Sequence, residues 1–101
     1  MKNKVRVLLV DSDKEQLSSI KKYFSSHTAV EIVKSYDDGL SAYEYVNNYK
    51  DTYDIIVLDL ILPNKDGLSI IKSIRDNSKE KGIIVLTGYN SFDIIKQVSY
   101  Y

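Results

Sequence analysis

The stretch Ile55-Ile56-Val57-Leu58-Asp59-Leu60-Ile61-Leu62-Pro63-Asn64-Lys65-Asp66-Gly67 decides the fold of this chain. It opens with four apolar residues, three of them β-branched, and then meets a carboxylate. A helix facing a core would interleave polar residues at its own period, and a half-exposed strand would alternate. A short unbroken apolar run instead fits a strand covered on both faces, as in a parallel sheet with helices on either side. Asp59 and Pro63 break the apolar pattern, and Leu68, Ile71 and Ile74 then recur at helical spacing.

The same alternation extends in both directions. Short β-branched runs at Val5–Val10, Val30–Lys34 and Ile83–Leu86 join Ile55–Leu58 as candidate strands. Leu17, Ile20 and Phe24 share one face of a first helix, with Asp13 and Gln16 spaced as an N-terminal capping box. Leu40, Tyr43 and Val46 mark a second helix, and Phe92, Ile95 and Val98 a fourth that begins near Ser91. Strands and helices that alternate in this way build βαβ units. The fold class is therefore α/β, a doubly wound, flavodoxin-like parallel sheet of order 2-1-3-4. That architecture calls for a fifth strand, and neither it nor its helix can be found in the chain. Residues 1–101 thus read as one incomplete domain without an output domain. An uncovered strand-4 edge would be a template for pairing, so marginal folding or self-association through that edge is expected.

Composition narrows the function. Apolar residues make up 44% and charged residues 28%, and the formal net charge is zero. A neutral chain has no general attraction to nucleic acid or to anionic membranes. With no cysteine, disulfides, thiolate zinc sites and Cys nucleophiles are excluded. The run Val5–Val10 is too short for a signal-peptide core or a membrane span. A soluble cytoplasmic protein is expected.

The chemistry gathers at strand ends. In an open parallel sheet, ligands bind beyond the carboxyl ends of the strands, where strand order reverses. Strand 1 runs into Asp11-Ser12-Asp13, strand 3 into Asp59 and strand 4 into Thr87. Carboxylates brought together repel one another unless a cation lies among them. Mg²⁺ suits such a place, because it takes hard oxygen ligands and keeps several waters. A carboxylate, a metal and a hydroxyl suit phosphoryl transfer, which depends on positioning and charge neutralisation. Asp59 is the candidate nucleophile, because an Asp can form an aspartyl phosphate. Each residue also has a plainer use: an Asp after a strand often caps a helix, and a Thr often simply ends a strand. Capping does not account for all three strand ends at once.

At these residues the sequence resembles the receiver domain of bacterial two-component response regulators. Val-Leu-Leu-Val-Asp11-Ser12-Asp13 looks like that family's first strand and acidic pair. The segment from Ile55 through Pro63 to Asp66-Gly67 resembles its phosphoacceptor motif, and Ile83 to Tyr89 its fourth strand ending in the switch hydroxyl, Thr87. Tyr36-Asp37-Asp38-Gly39 with Ala42 is similar to the turn into helix 2. The resemblance implies that a sensor histidine kinase or phosphotransfer protein phosphorylates Asp59. It also implies Mg²⁺ held by Asp59, strand-1 acids and the carbonyl of Ile61, with self-catalysed phosphorylation and dephosphorylation but no turnover. The segment from Thr87 to Val98 is similar to that in regulators with DNA-binding outputs, which implies a transcriptional output beyond this chain. Two departures matter. Ser12 stands where the family usually has a second acid, and its neutral hydroxyl is a weaker Mg²⁺ ligand than a carboxylate. The lysine that contacts the phosphoryl group in the family's fifth strand has no counterpart here.

Other features carry less. His27 reads as a solvated turn residue after helix 1. Tyr43, Tyr45 and Tyr49 lie along one helix without a basic stripe, so packing explains them better than base stacking. Asn64 and Lys65 follow Pro63 without a glycine-rich phosphate cradle. Three hypotheses therefore stand: a phosphorylated signalling switch, a pseudo-receiver that binds proteins without phosphorylation, and a flavodoxin-like cofactor binder. The carboxylates after strand 1 speak against the last.

Overall fold

Apolar runs become strands here because two helical layers cover them. A computed structural model describes residues 4–86. Its elements are β1 (Val5–Val10), α1 (Lys14–Phe24), β2 (Val30–Tyr36), α2 (Gly39–Asn48), β3 (Ile55–Asp59), α3 (Gly67–Asn77) and β4 (Gly82–Leu86). Among these residues four parallel strands form one sheet in the order β2-β1-β3-β4, the order expected from the sequence. The expected fourth helix, with Phe92, Ile95 and Val98, lies outside the described residues, as does Thr87.

Alternation along the central strands sends side chains to two different layers. Leu8 and Val10 of β1 and Ile56 and Leu58 of β3 are buried in one cluster with Ala42 and Val46 of α2 and Ile70, Ile71 and Ile74 of α3. The opposite face receives Leu17, which is buried, together with Ile20 and Phe24 of α1. Beside them, among the described residues, runs an apolar cavity of about 490 Å³ lined in part by Val7, Leu9, Val57 and Ile84. Ile84 of β4 remains 51% exposed.

Three local readings change. Leu40, expected on the same face of α2 as Val46, is exposed, while Val46 is buried as expected and Ala42 is buried beside it. Two residues along a helix turn it about 200°, so the face carrying Ala42 cannot also carry Leu40. The capping box of α1 is only half formed. The Asp13 side chain accepts from Glu15 N at 3.0 Å and Gln16 N at 3.2 Å. The Asp13 N–H, however, donates to Asp11 Oδ1 at 2.9 Å. Strand β2 also continues past Lys34 to Tyr36, because its register with β1 shifts between Val7 and Leu8 and then pairs Val10 with Tyr36.

Candidate functional site

Strand register brings the candidate residues to one end of the sheet. Val10 of β1 pairs with Leu58 of β3, so Asp11 and Asp59 are the next residues on neighbouring strands. Asp59 pairs in turn with Leu86 of β4, after which Thr87 follows outside the described residues. Asp11 is 3% exposed, a buried charged residue at the edge of the core. Its backbone N–H donates to Tyr36 O at 3.1 Å, and its Oδ1 accepts the Asp13 N–H at 2.9 Å. These two bonds fix the backbone and the carboxylate at the end of β1. Asp59 is half-buried, and its Oδ1 accepts the Ile61 N–H at 3.1 Å. Ser12 and Ile61 are exposed beside them.

Charge balance at this end of the sheet is unusual. The ion pairs among the described residues are Arg6 with Asp54 at 2.9 Å and Lys14 with Asp37 at 3.6 Å. Neither includes Asp11 or Asp59, so two neighbouring strand ends present carboxylates that no described side chain neutralises. No group of three His, Cys, Asp or Glu side chains converges among the described residues. The donors expected there from the sequence are two carboxylates with neutral oxygens from Ser12 and the Ile61 carbonyl. That set fits Mg²⁺, which binds through one or two carboxylates and keeps several waters. It fits neither zinc nor a softer metal, which would seek nitrogen or sulfur.

The segment after β3 is tied at several points. Gly67 N donates to Leu60 O and Lys65 N to Pro63 O, both at 2.9 Å. Asp66 caps α3 by accepting the Ser69 N–H at 2.8 Å. A Cβ on Gly67 would stand 2.6 Å from Asp59 O and 2.7 Å from Leu60 Cα, so only glycine allows α3 to start this close to β3. Across from it, Gly39 N at the start of α2 donates to Pro63 O at 2.8 Å. Sequence reasoning missed this bond between α2 and the segment bearing Asp59. The available signal was a glycine directly after an N-cap aspartate, Asp38.

Features set aside in the sequence find structural uses. His27 is exposed, its ring against Tyr23 and Phe24 and its Nδ1 at 3.0 Å from Tyr23 O. Tyr45 packs against Tyr36, Tyr49 and Tyr53, and its hydroxyl lies 2.6 Å from Thr52 Oγ1. Burial pushes the Tyr53 hydroxyl up to about 12.

A doubly wound sheet with carboxylates at adjacent central strand ends defines a class of domain, and comparison with known proteins gives the family. The sequence model of the response regulator receiver domain matches residues 7–100. The chain belongs to the response regulator receiver domain family. It is 32% identical over 82 residues to transcription factor SKN7 of Saccharomyces cerevisiae, covering 81% of this chain and 12% of that protein. It is also 32% identical over 88 residues to protein RcaC of Microchaete diplosiphon, covering 86% of this chain and 13% of that one. The chain thus spans about an eighth of the curated relatives it matches. Among solved structures, the signal receiver domain of NarL from Mycobacterium tuberculosis has a TM-score of 0.86 at 22% identity, covering 97% of this chain and 77% of that one. A chain of the CheX-CheY-BeF₃-Mg²⁺ complex from Borrelia burgdorferi has a TM-score of 0.84 at 23% identity, covering 95% of this chain and 71% of that one. Both likenesses support the fold.

Proposed function

We propose that this domain is a signal-transduction switch that accepts a phosphoryl group on Asp59 from a sensor histidine kinase or phosphotransfer protein. The observation that carries the reading is the pair of carboxylates, Asp11 and Asp59, on adjacent central strands, which no described side chain neutralises. A carboxylate oxygen of Asp59 attacks phosphorus as the bond from phosphorus to the donor's histidine nitrogen breaks. The phosphoryl group is left on Asp59 as an acyl phosphate. Asp11, Ser12, Asp59 and the Ile61 carbonyl would hold Mg²⁺, which when bound offsets the negative charge that gathers on the transferring group. The Ile61 N–H, already on Asp59 Oδ1, orients the carboxylate for attack. Thr87 acts as the switch hydroxyl that reads the phosphoryl group.

The change passes to an output region outside this chain, a transcriptional one by analogy with SKN7. The domain works in the cytoplasm; no described helix is long and apolar enough to cross a membrane. The outer edge of β4 would serve for self-association, with the half-exposed Ile84 on the adjoining sheet face beside α1.

A second reading, a pseudo-receiver that binds partners without phosphorylation, is favoured by Ser12 in place of a second acid. Titration with Mg²⁺ and an acyl-phosphate analogue, followed by amide chemical shifts, separates the two. The switch requires Mg²⁺-dependent shifts at Asp11, Asp59 and Ile61. Unmoved amides at all three would leave the pseudo-receiver.

A further inference from the structure

The N-terminus of α2 and the segment between β3 and α3 meet backbone to backbone. Gly39 is the first residue of α2, and its N–H is one of the helix's unpaired donors. It donates to Pro63 O at 2.8 Å, the same oxygen that accepts from Lys65 N at 2.9 Å. The Asp38 side chain meanwhile accepts from Ser41 N and Ser41 Oγ, both at 2.9 Å, which caps the helix and leaves the Gly39 donor for the loop. A Cβ on residue 39 would stand 1.6 Å from the Lys65 carbonyl oxygen. No glycine in the described residues has a positive φ, so Gly39 is required for space and not for conformation. Between the two contacted residues Asn64 turns the loop back at φ 72°, in the left-handed region. The contact therefore depends on two residues: a bare Cα at 39 and a tolerated left-handed residue at 64.

Nothing in this arrangement touches the reacting atoms, yet the clamped loop begins at Asp59 and contains Ile61. We propose that Gly39, together with the turn at Asn64, is a positioning residue for phosphorylation of Asp59, seating the α2 N-terminus on the Pro63 carbonyl. The proposal rests on the reading of Asp59 as phosphoacceptor and adds to it a regulatory lever: whatever shifts the start of α2 shifts the acceptor loop.

The test compares Gly39→Ala with Val46→Ala, a core substitution in the same helix far from the loop contact. Phosphorylation by acetyl phosphate is followed over a range of Mg²⁺ concentrations, and thermal melts report stability. Misplacement of the loop should slow labelling about ten- to hundredfold and weaken the Mg²⁺ dependence, whereas Val46→Ala should lower the melting temperature with the labelling rate kept. Should Gly39→Ala fail to fold, Asn64 decides. Asn64→Gly, which keeps the left-handed turn, should label like the unaltered chain, and Asn64→Val should be slow. Equal rates for Asn64→Gly and Asn64→Val, or for Gly39→Ala and Val46→Ala, would overturn the positioning role alone. No label on the unaltered chain would instead remove the phosphoacceptor reading, and the positioning role with it.

Discussion

At the scale of single residues, backbone hydrogen bonds hold the two strand-end carboxylates in place. Asp11 is held in a buried position by the Tyr36 carbonyl and the Asp13 N–H. Asp59 is held by the Ile61 N–H. Ser12, between two aspartates in sequence, contributes at most a neutral ligand. Replacing it by Asp adds an anionic oxygen, so Ser12→Asp should tighten Mg²⁺ binding in a calorimetric titration. An unchanged affinity would mean that Asp11 and Asp59 alone define the site. Asp11 and Asp59 could be read from the sequence because each ends an apolar run. The use made of Asp13 was only half legible: its side chain caps α1 as expected, but its N–H belongs to Asp11.

At the scale of elements, strands β1, β3 and β4 were legible because their apolar residues fall on both faces of the strand, the pattern of a parallel sheet flanked by helices. Helix α2 was not fully legible. Its pattern admits Leu40 or Ala42 on the inner face, and only packing against the sheet chooses Ala42 and Val46. Leu40→Lys should therefore change stability by no more than about 0.5 kcal/mol. Ile71→Ala in α3 should cost about 2–5 kcal/mol, because Ile71 is 1% exposed and its loss leaves a cavity. Urea unfolding of the two variants checks both values, and a large effect at Leu40 would place it back in the core. The contact between Gly39 and Pro63 was hidden for a different reason. It joins backbone groups of residues distant in sequence, and its one trace, the glycine after Asp38, does not say which carbonyl the helix start meets.

At the scale of the whole molecule, the end of the sheet that carries Asp11 and Asp59 is opposed by an ion pair at the other end. Arg6 donates to Asp54 through its backbone N at 2.8 Å, Nε at 3.2 Å and Nη2 at 2.9 Å. Those hydrogen bonds hold the Asp54 carboxyl down at about 2, below the usual 3.8. A carboxyl depressed in the folded state stabilises the fold above its ordinary pKa, and that contribution is lost as pH falls from about 4 to about 2. The group is well exposed, so the effect is small. Asp54→Asn should flatten this part of the acid limb in a stability-versus-pH curve, and identical limbs would show the pair to be inert.

Phosphorylation of Asp59 is measured most directly by site-mapped mass spectrometry after incubation with acetyl phosphate and Mg²⁺. One alkali-labile, hydroxylamine-sensitive phosphoryl group is expected on Asp59, absent without Mg²⁺ and absent from Asp59→Asn, whose amide is not a nucleophile. Label that persists on Asp59→Asn, or an unaltered chain that takes none, would contradict this expectation.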